Sequence, residues 1–249
     1  VMLDWFVIPE DPGREDWSRA RAETDTGKKE AEKVEVLLVA IHNEILNNFQ
    51  SVSEQAGLNV GFYELEVFGT VRSSLSHGIA PVMIVDIGAA TTKVYIVERS
   101  IVRYSHLVNQ GSQDMTLGIS RSLGWNFERA ERTKRELGLM VRSGSDESED
   151  TKVRDALLST LGRIFSDVNR VLLSYEKKYG RNVARVVLAG GGGGLPGLVE
   201  YASEQVHVEV EKSKPFERIQ TPAFLDEVLK EVGPEFAVAV GAALRRMSG

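Results

Sequence analysis

Cysteine is absent from the sequence, and histidine, tryptophan and long apolar runs are scarce. Without cysteine there are no disulfides, thiolate metal sites or cysteine nucleophiles, which fits a reducing cytoplasm. The four histidines lie far apart and form no H-x-x-x-H pair, so the sequence predicts no histidine metal site. No G-x-S-x-G segment occurs, which leaves acyl transfer without a nucleophile.

Charge of one sign is not concentrated anywhere along the chain. The net charge is −6, and lysines and arginines are scattered among acidic residues without a basic stripe, so nucleic acid is not expected as a partner. The longest apolar stretches, such as residues 34–41 and 79–87, fall well short of the roughly 20 residues that a membrane-spanning helix needs. The sequence therefore predicts no transmembrane segment.

The composition that remains is that of a globular protein. The chain has 249 residues, of which 42% are hydrophobic, enough for one large or two small domains with a buried core. It begins with Val1 rather than methionine, and no signal peptide precedes the strand-like opening. We therefore expect a fragment whose true N-terminus lies upstream.

Strand and helix patterns are mixed throughout, which predicts an α/β or α+β class. Branched or alternating apolar residues predict strands at 1–8, 34–40, 60–67, 82–86, 93–97, 101–107, 183–189 and 206–210. Apolar residues at helical spacing predict helices at 42–56, 68–76, 114–123, 127–137 and 153–179, from 196 onward, and at 236–247. The strands between 82 and 107 are closely connected and predict an antiparallel meander. Residues 9–33 are predicted to be a long exposed loop, and the acidic residues 143–150 a solvated linker.

Five consecutive glycines follow an apolar strand and precede a proline; they are Gly190, Gly191, Gly192, Gly193 and Gly194. Such a bend allows backbone N–H groups and a helix N-terminus to face a phosphate. The run also fits G-x-G-x-x-G, but too little chain follows it for a Rossmann half-domain, and no G-x-x-x-x-G-K-[ST] segment occurs. A tightly packed glycine turn without a ligand is the alternative.

A second motif places a carboxylate, Asp86, near the end of an apolar strand. A turn and two hydroxyls follow it, formed by Gly88, Ala89, Ala90, Thr91 and Thr92. A carboxylate in such a run is costly unless it is hydrogen-bonded or faces a cation. We therefore predict that Asp86 holds Mg²⁺ through water, while the turn and the hydroxyls face a phosphate. The alternative is a hairpin turn capped by the aspartate.

The third motif, AERTK, puts Glu131 and Lys134 on one face of the helix predicted at 127–137. Alone it is typical of a solvated helix. The order of the three motifs resembles the second half of the actin-like ATPase superfamily. The resemblance implies that residues 86–92 form the second phosphate loop, that Glu131 and Lys134 contact the ribose, and that residues 190–194 lie against the adenosine. ATP and Mg²⁺ are the cofactors it implies.

Within that superfamily, the sequence is similar to the PilM family of type IV pilus assembly proteins from about residue 34 to the C-terminus. The segments that carry the likeness include VEVLLVAIHNEILNNFQ, NQGSQDMTLGISRSLGWNFERAERTKRELGL and EFAVAVGAALRRM. The likeness implies an α/β, actin-like (ribonuclease H-like) fold with a complete domain II. Residues 1–80 are expected to be a partial domain I with a small inserted α+β subdomain (1C-like), 81–233 domain II, and 234–249 a C-terminal helix that returns to domain I.

One element of the superfamily is not found in the sequence. The earlier phosphate loop, D-x-G-x-x-x-x-K, is imitated by DTGKK at residues 25–29, but charged residues rather than an apolar strand precede that segment. Phosphoryl transfer depends on positioning and charge from both sides of the phosphates. We therefore expect at most weak ATPase activity from this sequence.

The resemblance implies an ATP-binding scaffold of type IV pilus biogenesis, cytoplasmic and peripheral to the inner membrane. Its expected partner is the cytoplasmic tail of a PilN-like membrane protein, docked on residues of about 1–58, and other pilus assembly proteins are further candidates. Two alternatives remain open. One is an active ATPase or sugar-kinase-like phosphotransferase of the same superfamily, and the other is an FtsA-like cell-division protein.

Overall fold

The computed structural model describes residues 1–8, 34, 36–76, 78–142 and 147–247. Within these ranges the chain forms two compact units, Val1–Tyr63 and Glu64–Gly249. The predicted loop at 9–33, the DTGKK segment inside it and residues 143–146 of the acidic segment lie outside the described residues. The domain division predicted at residues 80 and 233 stays a prediction.

The first unit contains a two-stranded antiparallel sheet and one helix. Strand β1 (Met2–Val7) pairs with β2 (Val36–Ile41), and the register places Trp5 opposite Leu38. Helix α1 (Asn43–Gln55) follows and contains no buried residue. The two strands and the helix predicted here are confirmed, with small shifts of their ends.

A five-stranded mixed sheet, in the order β5-β4-β3-β6-β7, organises the second unit. Its strands are β3 (Val82–Ile87), β4 (Thr92–Glu98), β5 (Ile101–Val108), β6 (Arg185–Ala189) and β7 (Glu209–Lys212). The predicted antiparallel meander of β3, β4 and β5 is confirmed. In contrast, β6 runs parallel to β3, and β7 runs parallel to β6. The carboxyl ends of β3 and β6 therefore lie at the same edge of the sheet.

Helices pack on both faces of this sheet. They are α2 (Glu66–Ser74), α3 (Ser112–Leu123), α4 (Phe127–Leu137), α5 (Glu147–Tyr179), α6 (Leu198–Val206) and α7 (Asp226–Met247). Short 3-10 turns are formed by Gly191–Gly194, Pro215–Arg218 and Ala223–Leu225. A sheet covered on both sides needs apolar residues on both faces of its strands, which is why β3 and β6 read as continuous apolar runs.

The two faces of β3 define two cores. Met83, Val85 and Ile87 are buried in the larger core, with side chains from α3, α5 and α6. Ile84 is buried in a smaller core, with side chains from α2 and α7. Because successive side chains along a strand point to opposite faces, Asp86 shares the face of Ile84.

The strand predicted at residues 60–67 is wrong. Residues 58–65 form no regular secondary structure, and α2 begins at Glu66. Alternation alone suggested a strand, but none of the described strands pairs with this segment. Instead α2 packs against α7 and buries Val67, Gly69, Thr70 and Ser73. Tertiary burial at helical spacing therefore outweighs the local alternation.

The predicted linker at 143–150 is wrong for its second half, because α5 already begins at Glu147. Asp150 is buried and accepts hydrogen bonds from the backbone N–H and the guanidinium of Arg142. This paired carboxylate fixes the first turn of α5, whereas the sequence pattern treats it as one more solvated acid.

Two other helices begin at different places from those predicted. α6 begins at Leu198 rather than at Pro196, since Pro196 and Gly197 form the turn that precedes it. α7 begins at Asp226 and continues through Pro234, ten residues before the predicted start at Phe236. Proline removes one helical N–H group, and here the chain continues in helical conformation on both sides of it. The strand predicted at 206–210 is shifted to Glu209–Lys212.

Candidate functional site

The first two glycine-containing motifs lie side by side at one edge of the sheet. In the parallel pairing of β3 with β6, Asp86 is opposite Ala189. The turn at residues 88–91 leaves the sheet directly after β3, and the glycine run at 190–194 leaves it directly after β6. Parallel pairing thus brings together two segments that are about a hundred residues apart in the sequence. Clefts beyond the carboxyl ends of parallel strands are common ligand sites in α/β folds.

Asp86 is a buried carboxylate, with 7% of its surface exposed. Among the described residues it accepts no hydrogen bond and forms no ion pair. Burial raises the pKa of Asp86 above its ordinary value of 3.8. Burial, together with the charge of Asp86, also raises the pKa of neighbouring Tyr95 to about 12. A buried carboxylate without a partner is destabilising, which is the property expected of a group that awaits a ligand.

Lys93 is the cross-strand neighbour of Asp86, and sequence reasoning missed it. Its ammonium group forms an ion pair with Glu66 of α2 rather than with Asp86. Burial lowers the pKa of Lys93. The position of Lys93 opposite Asp86 follows from the length of the hairpin turn. The number of residues between the two across that turn is the sequence signal that could have identified Lys93.

The turn after β3 is held by α3. The N–H of Gly88 donates to the carbonyl of Thr91 (2.9 Å), while the carbonyls of Gly88 and Ala89 accept from the first N–H groups of α3, those of Ser112 and Gln113 (both 2.9 Å). The N–H groups of exposed Ala89 and Ala90 have no acceptor in the described part of the chain. These two amides are therefore available to an anion such as a phosphate.

The two threonines of the turn differ. Thr92 is fully buried, and its hydroxyl donates to the carbonyl of Gln110 (2.8 Å). Thr91 is partly exposed, and no hydrogen bond of its side chain occurs within the described ranges. In this conformation Thr92 supports the turn, so Thr91 is the better placed of the two to meet a phosphate. The phosphate roles of both stay predictions.

The glycines of the run differ in what an added side chain would contact. Gly190 has φ +77°, and a Cβ there would lie 2.4 Å from Oδ1 of Asp86 and 2.6 Å from the carbonyl oxygen of Ile87. A Cβ at Gly192 would lie 2.4 Å from Cγ2 of Ile87. In contrast, a Cβ at Gly191 would meet no atom of the described residues within 4 Å, and Gly191 is exposed. Packing of the protein itself therefore explains Gly190 and Gly192, while Gly191 is open to an external group.

Glu131 and Lys134 form an ion pair on the side of α4 that faces α3. The ammonium of Lys134, which is buried, lies 2.7 Å from Oε2 of Glu131, and it donates to the Ser112 carbonyl (3.0 Å) and the Thr116 hydroxyl (2.9 Å). Burial opposes ionisation of Glu131, but hydrogen bonds from Lys134, Thr116 and Arg135 outweigh it and lower the pKa of Glu131 to about 2. Both side chains thus have internal partners, and their contact with a ribose stays a prediction.

Helix α4 connects the two glycine segments. At one end of this connection, Lys134 bonds to Ser112, the residue whose N–H holds the carbonyl of Gly88. Just after the helix, the N–H of Leu139 donates to the carbonyl of Pro196, which follows the glycine run (2.9 Å). The third motif is therefore joined to the other two through hydrogen bonds.

A metal could be held here through Asp86. The described residues contain no group of three or more His, Cys, Asp or Glu side chains that would enclose an ion. Mg²⁺ is often bound by one or two carboxylates, with water and substrate phosphates as the other ligands. The carboxylate of Asp86, which has no partner among the described residues, fits that mode of binding.

Comparison with solved structures identifies the fold as actin-like. The PilM-PilN type IV pilus biogenesis complex aligns with a TM-score of 0.74 and 23% identity, covering 98% of this chain and 76% of that chain. MreB 5 of Spiroplasma citri bound to AMPPNP aligns with a TM-score of 0.61 and 14% identity, covering 84% of this chain and 66% of that chain. The predicted fold class is confirmed.

Comparison with family models identifies the family. The model for the type IV pilus assembly protein PilM matches residues 22–247. The chain belongs to this family, as the sequence motifs predicted. The cell division protein FtsA of Streptococcus pneumoniae is 27% identical over 198 residues, which are 72% of this chain and 43% of FtsA. The chain thus spans less than half the length of that curated relative.

No helix in the described ranges combines the length and the apolar character that crossing a membrane requires.

Proposed function

We propose that this chain is a nucleotide-binding scaffold of type IV pilus biogenesis. The observation that carries the proposal is the buried, unpaired carboxylate of Asp86 between two side-chain-poor bends. Membership of the PilM family supports the pilus role, and the AMPPNP bound to the similarly folded MreB 5 supports the nucleotide role.

The residues of this chain have distinct roles in the proposal. The free amides of Ala89 and Ala90 bind phosphate oxygens, and Asp86 orients water on Mg²⁺. The open side of the glycine run, at Gly191, accepts the flat surface of the nucleoside. Bound MgATP gives these groups their partners. Its phosphate oxygens accept hydrogen bonds from the two amides, and Mg²⁺ provides the positive charge that faces the Asp86 carboxylate.

Substitution of Gly191 tests the nucleotide site without disturbing the fold. Because a Cβ at Gly191 meets no atom within 4 Å in the described part of the chain, Gly191→Ala is expected to leave the melting temperature unchanged. If a nucleotide lies against this backbone, the methyl group overpacks the contact and weakens MgATP binding by roughly tenfold or more. Isothermal titration calorimetry measures the affinity.

The control for this experiment is Gly162→Ala, on the exposed side of α5. It is expected to bind MgATP as the native chain does. Unaltered MgATP affinity in Gly191→Ala, or no MgATP binding by the native chain, would contradict the proposed nucleotide site. Phosphate release under the same conditions distinguishes a scaffold from an enzyme with steady turnover.

We further propose that the first unit docks the cytoplasmic tail of a PilN-like inner-membrane protein, which makes the chain peripheral to that membrane. One face of the β1–β2 sheet is apolar and exposed, and its residues are Leu3, Trp5, Val7, Val36 and Leu38. An isolated two-stranded sheet is marginally stable in water, so an apolar face of this kind favours a partner segment. The PilM-PilN complex supports the choice of partner.

The centre of that face is the cross-strand pair Trp5 and Leu38, exposed by 66% and 63%. Trp5→Ser and Leu38→Ser are each expected to weaken binding of a synthetic PilN-like tail peptide by roughly tenfold or more, because large apolar anchors dominate such interfaces. Fluorescence titration measures the affinity. The matched control is Leu173→Ser on α5, where the native leucine is equally exposed. Equal peptide affinity of all four proteins would refute docking on this face.

A further inference from the structure

A polar crevice of about 410 Å³ lies between α3 and α5. The α3 side is lined by Asp114, Leu117, Gly118, Arg121 and Ser122, and the α5 side by Ala156, Ser159, Thr160 and Arg163. On both helices the lining residues include positions i, i+3, i+4 and i+7, which form one stripe along a helix. None of these residues belongs to the turn after β3, to the glycine run or to the β1–β2 face.

Two arginines of the crevice have no acidic partner among the residues that the structure describes. Arg121 and Arg163 are exposed, and neither forms an ion pair or a hydrogen bond within the described ranges. Two other exposed arginines of the chain are paired, Arg129 with Glu149 and Arg170 with Asp167. The guanidinium groups of the crevice are therefore free to bind a carboxylate.

A threonine of the crevice points to the same conclusion. Thr160 is 2% exposed, lines the crevice and makes no side-chain hydrogen bond to any residue that the structure describes. A threonine inside a helix commonly bonds to the carbonyl four residues earlier, as Thr116 of α3 does with Ser112. The hydroxyl of Thr160 is therefore available to a ligand in the crevice.

The crevice exists because small residues lie between the two helices. A Cβ at Gly118 would lie 3.5 Å from the carbonyl oxygen of Ala156, so the helices approach closely there. The long side chains of Arg121 and Arg163 extend from the same stripes. The crevice is therefore narrow where Gly118 and Ala156 meet, and the guanidinium groups of Arg121 and Arg163 lie along its sides.

We infer that this crevice docks an acidic segment of a partner protein. The unpaired arginines complement carboxylates, and the hydroxyls of Ser122, Ser159 and Thr160 match the donors and acceptors of a peptide backbone. The lining also contains Asp114, which already accepts from the Gly111 N–H (2.9 Å), and apolar Leu117. A free phosphate offers only anionic oxygens, whereas a peptide offers carboxylates for the arginines together with N–H groups and apolar side chains that can meet Asp114 and Leu117.

The inference is tested with a short fluorescein-labelled peptide of alternating Glu and Leu, added to the whole 249-residue chain. We expect saturable binding by fluorescence anisotropy that weakens with added salt. The double variant Arg121→Glu with Arg163→Glu is expected to bind at least about tenfold more weakly, because both complementary charges are reversed. Thr160→Val, which keeps the shape but removes the hydroxyl, should also weaken binding.

The matched control is Arg154→Glu. Arg154 is exposed on α5 but lies nine residues before Arg163, on the opposite side of the helix. It should bind the peptide as the native chain does, since one charge reversal outside the crevice leaves the site intact. Equal weakening in Arg154→Glu, or equal binding of a peptide with Lys in place of Glu, would overturn the inference. Displacement of the peptide by inorganic phosphate at equal concentration would also overturn it, in favour of a phosphate site.

Discussion

Replacement of Gly190 by alanine is expected to destabilise the protein strongly. The residue has φ +77° and ψ 168°, a region that is essentially restricted to glycine and costs an L-residue about 1–3 kcal/mol. The new methyl group would also lie 2.6 Å from the carbonyl oxygen of Ile87 and 2.4 Å from Oδ1 of Asp86. The carboxylate can rotate, but the Ile87 carbonyl belongs to β3 and is held in the sheet.

Overpacking of this kind adds about 1–3 kcal/mol to the backbone strain, which gives a total of about 2–6 kcal/mol. For a chain of this size, the melting temperature should fall by roughly 10 °C. Thermal unfolding followed by circular dichroism measures the change.

The control for Gly190→Ala is Gly191→Ala. It makes the same chemical change at the adjacent residue, where none of the described residues has an atom within 4 Å of the new Cβ. Its melting temperature is expected to equal that of the native chain. If both variants melt together, the glycine run does not pack against β3 as described, and the shared edge of β3 and β6 no longer supports a site.

The second large effect is expected for Asp86→Asn, which should stabilise the ligand-free protein and remove its response to Mg²⁺ and ATP. Burial raises the pKa of Asp86 above 3.8, so the folded protein binds this proton more tightly than the unfolded chain does. The stability contributed by the protonated form is fully present below the unfolded pKa. It is lost as the pH rises through the folded pKa, and at neutral pH the ionised carboxylate destabilises the fold.

Asparagine carries no charge, so the variant should not lose stability over that pH range. Melting temperatures measured from below pH 3.8 up to neutral pH should therefore diverge, with the variant higher at neutral pH. A ligand present at about a hundred times its Kd stabilises the native chain by about 2.7 kcal/mol. The variant should lose most of this gain, because Asp86 is the carboxylate that would face Mg²⁺.

Asp155→Asn provides the control for charge alone. Asp155 is exposed on α5, so the same substitution there should leave both the pH profile and the gain from MgATP unchanged. A variant Asp86→Asn that is less stable than the native chain at neutral pH would mean that the carboxylate has a stabilising partner. That result would remove the main support for the nucleotide site.

Local patterns were sufficient for most of the second unit. The meander of β3, β4 and β5 has close connections and strongly apolar strands, so its pairing is encoded within a short stretch of chain. The alternation at residues 60–67 misled because a strand requires a partner strand. From Glu66 onward the chain forms α2 instead, and this helix packs against α7. Helix α7 itself was predicted too short, since a sequence pattern treats Pro234 as an end and takes no account of the packing on both sides of it.

Some residues of the candidate site could likewise be predicted from the sequence, and others could not. Asp86 and the glycines stand out in the sequence because a carboxylate in an apolar strand and five adjacent glycines are both costly unless something requires them. Lys93 and Ser112 do not stand out, because ordinary polar residues acquire roles at the site through strand register and helix placement.

The sequence by itself determined the class of fold, the family and the three motifs, since these depend on residue type and short-range order. The tertiary structure decided which glycines the protein requires for its own packing, at Gly190 and Gly192, and which is left open, at Gly191. It also decided that Lys134 is buried against Ser112 and that Arg121 and Arg163 line one crevice. These facts depend on contacts between segments far apart in the chain, and such contacts are fixed by the packing of whole strands and helices rather than by the residues nearby.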